Sequence, residues 1–189
     1  MNKIYRFLLL MIVFSHCCLE AQANPPRRIV LRDSNMISSL ALTLRSSKVS
    51  YSLGEDLSLD ATLRNEGSID RIFLYDRLRW GTGSGLGLTI EDMRGNEVRQ
   101  PVMMDDLPPP PLPNDSAILV GLSLGQFFGI SLIQPAHNLF PAPGKYRLRV
   151  IYSSVLYPDL VDSGLRHLNV LWEGHAPIAS PWITITITP

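Results

Sequence analysis

Cysteine is nearly absent from this sequence. The two cysteines that occur, Cys17 and Cys18, are adjacent and lie within the first 23 of its 189 residues. Hydrophobic runs are short as well. The apolar run at residues 7–14 falls well below the ~20 residues of a membrane-spanning helix, and no other segment is a better candidate. These absences exclude a disulfide framework in the body of the chain and favour a fold stabilised by its apolar core.

The first 23 residues have the pattern of a secretory signal peptide. Lys3 and Arg6 precede the apolar run, and Ala21-Gln22-Ala23 follows it as a small-residue cleavage site. We therefore predict export, to the periplasm or the extracellular space, with cleavage after this site. The alternative is a lipoprotein signal with Cys17 as the acylated residue, but His16 stands where such signals have a small residue.

Neither sign of charge dominates. The sequence has 17 Lys and Arg residues against 17 Asp and Glu residues, so it carries no field that would attract nucleic acid or an anionic membrane. Outside the predicted leader the histidines are His137, His167 and His175. They are not at the spacing of a helical metal pair, and no H-E-x-x-H motif occurs. We predict no metal site and no cofactor.

What the sequence does contain is strict alternation of apolar and polar residues. Tyr146, Leu148, Val150 and Tyr152 alternate with other residues after the turn signal Pro143-Gly144. A two-residue period of this kind predicts a strand with one buried and one solvated face. Tyr146 also suits a tyrosine corner, in which the hydroxyl bonds a nearby backbone group. A plain core aromatic is the alternative interpretation of this residue.

Further segments share this alternation, or a high content of β-branched and aromatic residues, and turn signals separate them. They are residues 40–45, 57–64, 69–78, 86–90, 97–102, 117–120, 127–133 and 183–188. Seven to nine short strands without a long amphipathic helix predict an all-β fold, an antiparallel β-sandwich over residues 39–189. Residues 24–38 are interpreted as an N-terminal arm, and residues 51–56 as a link made of turns.

Five short motifs carry a resemblance. They are Leu53-Gly54-Glu55 followed by an alternating strand and Asn65, Leu122 to Gln126, Phe140-Pro141 through Pro143-Gly144-Lys145-Tyr146, Trp172-Glu173-Gly174, and Ser180-Pro181-Trp182. Together they are similar to immunoglobulin-like β-sandwich modules of exported bacterial proteins. The resemblance covers roughly residues 39–188 and implies an immunoglobulin-like topology with an accessory, binding or propeptide-like role. It carries over no catalytic residue.

A possible nucleophile motif has an alternative interpretation. Gly121-Leu122-Ser123-Leu124-Gly125 matches G-x-S-x-G, and Asp159 or Asp162 and then His167 or His175 follow in the order used by α/β-hydrolases. That motif needs a helix after the serine, whereas the residues that follow here have strand character, and βαβ alternation is absent. We therefore favour a turn between two strands. A small exported serine hydrolase using Ser123 is the alternative.

We predict that function lies on loops at the ends of the sandwich. The candidate binding residues are Trp80, Gly83 and Gly85 around a glycine-rich loop, Pro109 and Pro110 in a polyproline connection, and Trp182, which is out of phase with the core positions of the last strand. Exposed tryptophans are common interface anchors. The predicted function is a binding module without enzymatic activity, whose partner is another exported or envelope protein. A peptidase inhibitor or propeptide-like module is a further alternative.

Overall fold

The computed structural model describes residues 36–75, 78–81, 85–98, 119–156, 164 and 167–189. The chain from Asp33 to Pro189 forms one compact unit, and the regular structure described in it is almost all strand. The predicted all-β class is therefore confirmed. None of the described helices is long and apolar enough to cross a membrane. The predicted signal peptide (residues 1–23) and residues 24–35 of the predicted arm lie outside the described residues.

Eleven strands fall within the described residues. They are β1 (Leu40–Ser46), β2 (Ser50–Ser52), β3 (Asp56–Asn65), β4 (Arg71–Tyr75), β5 (Arg79–Trp80), β6 (Gly85–Asp92), β7 (Leu119–Ser123), β8 (Phe127–Pro135), β9 (Gly144–Tyr152), β10 (Ile178–Ala179) and β11 (Ile183–Thr188). A short 3₁₀ helix, Ala136–Asn138, follows β8, and residues 36–38 are helical. Met36 is only 1% exposed, so the core begins before residue 39, inside the predicted arm.

The first sheet has three strands in the order β1-β3-β8, and β4 and β7 form a two-stranded continuation of it. β3 pairs antiparallel with β1 on one edge and with β8 on the other, and β4 pairs antiparallel with β7. Residues 66–70 join β3 to β4, and residues 124–126 join β7 to β8. The pairs β3–β8 and β4–β7 are therefore successive halves of one ribbon, interrupted between them. On the other edge of β4, Val170 forms a parallel bridge with Phe73.

β9 is the centre of a second sheet, with the order β2-β11-β9-β6-β5. It pairs antiparallel with β6 on one edge, and with β11 and then β10 on the other. The outer pairs β2–β11 and β5–β6 are parallel. Between β10 and β11, residues 180–182 lie opposite only Arg149 and Val150. Three residues against two is the count of a β-bulge.

The alternation in the sequence becomes the core of the structure. The buried positions include Leu57, Leu59, Ala61 and Leu63 on β3, and Tyr146, Leu148, Val150 and Tyr152 on β9. Residues of both sheets belong to one apolar cluster, in which each fully buried Leu or Val contributes about 1.5–3 kcal/mol. The Tyr146 hydroxyl donates to the Ala142 carbonyl oxygen at 2.8 Å, which confirms the predicted tyrosine corner.

Short strands account for the main differences from the predicted elements. The sequence pattern predicts none of β2, β5 and β10, and β2 lies in the stretch 51–56 that was interpreted as turns. Two or three residues are too few to show a two-residue period. β2 and β10 pair with residues that are distant in the sequence, whereas β5 pairs with β6 six residues further along the chain. Of the strand predicted at 97–102, only Glu97 and Val98 are described, and Glu97 forms an isolated bridge with Glu91.

Candidate functional site

Trp80 does not lie on the surface. Arg79 and Trp80 pair in parallel with Gly85 and Leu86 at the start of β6, and Trp80 is only 3% exposed. The prediction of an exposed anchor at this position is therefore wrong. The bridge to β6 places the indole in the apolar cluster shared by both sheets, where a large aromatic side chain contributes most to stability.

Of the other predicted binding residues in loops, the structure describes only Gly85. Gly85 is the first residue of β6, with a φ of 93°, and its carbonyl oxygen accepts the Ser153 N–H at 2.9 Å. It is therefore part of the sheet. Gly83, Pro109 and Pro110 lie outside the described residues. A binding role for these three residues stays a prediction.

Trp182 lies on the outer face of the second sheet, beside the bulge. Its ring centroid is 4.8 Å from the Arg147 guanidinium carbon and 4.6 Å from that of Arg149. The Arg147 Nε also donates to Glu91 at 2.9 Å. The prediction that Trp182 faces away from the core positions of the last strand is confirmed. Cation–π contact with two side chains of its own sheet gives this tryptophan a structural role on the surface.

A pocket of about 530 Å³ opens at the interruption of the β3–β4/β7–β8 ribbon. It is lined by Asp70, Arg71, Phe73, Ser123, His167, Leu168 and Asn169. The Arg71 Nε donates to the Ser123 hydroxyl at 3.2 Å, and the Asn169 amide donates to the Arg71 carbonyl oxygen at 3.2 Å. The volume would fit a small polar molecule. Within the described residues, no group of three or more His, Cys, Asp or Glu residues is placed to hold a metal ion.

The pocket brings together only part of the predicted hydrolase residues. Ser123 and His167 line it, whereas His175 is engaged elsewhere, where its Nε2 accepts the Ser154 N–H at 3.1 Å. Asp159 and Asp162 lie outside the described residues. Ser123 ends β7, and after a turn the chain continues as β8 and not as a helix. This agrees with the predicted turn between two strands and lacks the strand–turn–helix context of a nucleophile elbow.

The most unusual surface is the outer edge of β8. Among the described residues β8 pairs with β3 alone, so its second edge has no strand beside it there. Phe127 is 70% exposed and Ile133 is 67% exposed on this strand. Long apolar edges are rare in natural proteins because they template pairing with other chains.

The backbone groups of β8 alternate between its two edges. The Gln126 carbonyl oxygen accepts the Asn65 N–H at 3.1 Å, and the Ala136 N–H donates to Glu55 at 2.8 Å. The even-numbered residues therefore direct their N–H and C=O groups at β3. The odd-numbered residues from 127 to 133 direct theirs at the open edge. Pro135, also odd-numbered, has no N–H, as expected where an edge pairing ends.

Sequence reasoning missed this edge, although a signal for it exists. Between Asp115 and Lys145 the sequence contains no Asp, Glu, Lys or Arg. Charged residues are the usual protection of an exposed edge strand, so their absence from a strand-forming stretch indicates either a covered strand or an interface.

No protein-family model matches this chain, and no curated protein matches it. The solved structures that resemble it are distant. A β-glucosidase from Erythrobacter marinus shares 12% identity over 79% of this chain and 15% of its own, with a TM-score of 0.36. The sporulation control protein Spo0M from Bacillus subtilis shares 8% identity over 80% of this chain and 50% of its own, with a TM-score of 0.40. A β-glucosidase from Listeria innocua shares 13% identity over 79% of this chain and 16% of its own, with a TM-score of 0.36.

This chain therefore spans half of Spo0M and a much smaller part of the two glucosidases. At these TM-scores the neighbours carry no inference about what this chain does. Within the described residues, the β8 edge and the pocket at the ribbon interruption are two surfaces with groups that could bind a partner or a small molecule.

Proposed function

We propose that this chain is an exported, non-catalytic binding module with an immunoglobulin-like β-sandwich fold, and that it binds a protein partner along β8. The order β1-β3-β8 in one sheet, the order β11-β9-β6 in the other and the tyrosine corner at Tyr146 support that topology. The proposed binding function rests on one observation, the open apolar edge of β8.

An edge of this kind can bind by strand addition. The odd-numbered residues from 127 to 133 offer backbone N–H and C=O groups at regular spacing, and Phe127 and Ile133 offer exposed apolar side chains on the same face. In strand addition the main-chain hydrogen bonds supply affinity and alternate side chains supply specificity. An uncovered edge of this kind promotes aggregation, so we expect a partner to cover it.

Single charged substitutions test the proposed edge. The mature chain is immobilised, and proteins from its native envelope or culture fluid are captured and then titrated individually. We expect Phe127→Asp and Ile133→Asp to weaken binding at least about tenfold, because each puts a carboxylate into an apolar contact. Val49→Asp is the matched control, since Val49 is 79% exposed and lies between β1 and β2. Equal binding by all four proteins would rule out the β8 edge.

Export is tested separately. Mass spectrometry of the protein from its native source should give an amino terminus at Asn24, because a signal peptidase would cut after Ala21-Gln22-Ala23. A terminus at a lipid-modified Cys17 would support the alternative signal, and an intact Met1 would contradict both.

A serine hydrolase is the second candidate, because the pocket groups Ser123 with His167 and Asp70. Labelling with a fluorophosphonate probe distinguishes it from the binding module. The binding module predicts equal labelling of the wild-type protein and Ser123→Ala. Labelling that Ser123→Ala abolishes would favour the hydrolase, and Arg71→Gln would then show whether the guanidinium beside Ser123 restrains or assists it.

A further inference from the structure

We propose that the partner at β8 is a second copy of this chain, joined by antiparallel pairing of two β8 strands about a two-fold axis at Ile130. This inference rests on the proposed use of the β8 edge and names its occupant. It follows from the register that the strand offers to itself.

The backbone alternation restricts the possible registers. Only odd-numbered residues of β8 direct their N–H and C=O groups outward, so an antiparallel copy must pair odd residues with odd residues. With the axis at Ile130, Phe127 lies opposite the partner subunit's Ile133, and Gly129 lies opposite the partner subunit's Ser131. Each of these is a hydrogen-bonded pair that exchanges two N–H···O bonds.

The side chains select this register over its neighbours. It pairs both exposed apolar residues of each copy, and aromatic–β-branched cross-strand pairs are favourable. A shift by one pair in one direction puts Phe127 opposite the partner subunit's Pro135, which has no N–H to donate. The shift in the other direction puts Ile133 opposite the partner subunit's Gly125, a turn residue with a φ of 79° outside the strand.

The remaining chemistry is compatible with self-pairing. No residue of β8 is charged, so two copies meet without repulsion between like charges on this strand. On the half-buried face, Ile130 meets its own symmetry mate, and Phe128 meets the partner subunit's Leu132. Each copy contributes its single β8 edge, so the pairing closes at a dimer with a continuous sheet of order β1-β3-β8-β8-β3-β1.

Two substitutions at one position test the pairing. Ser131→Pro removes an N–H that faces the open edge and leaves the β3 side of the ladder intact, whereas Ser131→Ala keeps that N–H. Both variants lose the hydrogen bond from the Ser131 hydroxyl to Asp60 at 2.5 Å, so they differ only in the backbone donor and the proline ring. Sedimentation equilibrium from about 1 to about 100 μM should show dimers for the wild type and Ser131→Ala, and at least about tenfold weaker association for Ser131→Pro. Thermal unfolding of each variant confirms that it is folded.

A cysteine placed on the axis tests the register itself. In the mature chain beginning at Asn24 no native cysteine competes. Ile130→Cys should cross-link under mild oxidation, because its symmetry mate is directly opposite in a non-hydrogen-bonded pair with a Cα separation of about 4.5 Å. Leu132→Cys is the control, since its symmetry mate lies four residues away along the strand, about 13 Å distant.

The outcomes separate this inference from the proposed function. A wild-type protein that stays monomeric throughout this range, a Ser131→Pro variant that associates like Ser131→Ala, or cross-linking of Leu132→Cys in place of Ile130→Cys would each overturn the second copy as occupant. If such a monomer still bound another protein through Phe127 and Ile133, the proposed function would stand without the dimer. A wild-type protein that neither dimerised nor bound another protein through β8 would rule out β8 as an interface.

Discussion

At the scale of single residues, Asn65 has the most demanding position in the core. It is fully buried at the end of β3, and its side-chain amide donates to the carbonyl oxygens of Ile69 at 2.8 Å and Leu122 at 3.0 Å. These two bonds join the β3–β4 connection to β7, beside the backbone hydrogen bond from the Leu124 N–H to the Asp70 carbonyl oxygen at 3.0 Å. One side chain therefore adds to the few backbone hydrogen bonds that cross the interruption of the ribbon.

We expect Asn65→Ala to lower the free energy of unfolding by about 1–3 kcal/mol, because it removes two side-chain hydrogen bonds, one buried and one partly buried. Urea unfolding followed by tryptophan fluorescence measures this change. Asn96→Ala is the control, since Asn96 is exposed and bonds only to Asp92, and it should lose less than about 1 kcal/mol. A loss at Asn65 no larger than at Asn96 would contradict the bridging role.

Two tyrosines on the same face of β9 should respond differently to loss of the hydroxyl. Tyr146→Phe removes the bond to the Ala142 carbonyl oxygen and should cost about 1 kcal/mol. Tyr152→Phe removes a buried hydroxyl that makes no hydrogen bond of good geometry among the described residues, although the Ser154 hydroxyl is near enough to oppose the rise of its pKa. This substitution should be neutral or slightly stabilising. Thermal unfolding of the matched pair measures both. The opposite ranking would show that the tyrosine corner adds nothing to stability.

Tyr152 should also make stability fall at alkaline pH. Burial raises the pKa of its hydroxyl to about 12, against about 10 in the unfolded chain. The unfolded state therefore loses this proton first, and stability is retained below pH ~10 and falls as the pH rises towards ~12. The loss amounts to roughly 2–3 kcal/mol. Urea unfolding between these pH values should show a steeper decline for the wild type than for Tyr152→Phe, and parallel curves would refute the assignment.

At the scale of elements, β8 and β9 differ in how many of their edges are paired. β9 has a strand on each edge, with β6 along one and β11 followed by β10 along the other. β8 has β3 on one edge and, among the described residues, no strand on the other. The double pairing of β9 includes the bulge at residues 180–182, where Ser180 replaces a backbone partner. Its hydroxyl accepts the Val150 N–H at 3.0 Å.

We expect Ser180→Ala to destabilise the fold by about 1–3 kcal/mol, because Ser180 is buried and the Val150 N–H would lose its acceptor in the core. Amide exchange of Val150 should quicken at the same time. Ser153→Ala, at an exposed position next to β9, should change neither quantity appreciably. Unchanged exchange at Val150 in Ser180→Ala would mean that the bulge does not depend on this hydroxyl.

At the scale of the whole molecule, the two sheets share one apolar cluster, which has contributions from β1, β3, β6, β9 and β11. Neither sheet buries its inner face without the other. A single core of this kind unfolds as a unit in domains of this size. Outside positions 17 and 18 the sequence contains no cysteine that could cross-link it.

Unfolding in urea should therefore follow one transition that coincides by far-ultraviolet dichroism and tryptophan fluorescence, with the same midpoint with and without reductant. If β8 pairs with a second copy, the midpoint should also rise with protein concentration, because dimerisation stabilises the folded state. Two separate transitions would contradict the shared core, and a shift of the midpoint with reductant would contradict the absence of disulfides.

The sequence by itself determined the strands that are long enough to show a two-residue period of apolar and polar residues. β1, β3, β9 and β11 were predictable because a two-residue period indicates which face is buried, and the outward position of Trp182 follows from the same phase. The position of Tyr146 just after a Pro-Gly turn suggested a tyrosine corner but left a plain core aromatic open, and the bond to Ala142 decided between them. The all-β class follows from these strands together. A short strand has no such period, so β2, β5 and β10 escaped prediction.

Only the tertiary structure decided which surfaces are available. Trp80 lies in the core because β5 pairs with β6, a contact that no local pattern encodes. The pocket exists because Asp70, Ser123 and Asn169, distant in sequence, meet where the ribbon is interrupted. The β8 edge is open because strand order, which depends on long-range pairing, placed β3 on one side and no described strand on the other. Periodicity specifies the face of a strand, whereas its neighbours depend on the global packing of all the strands.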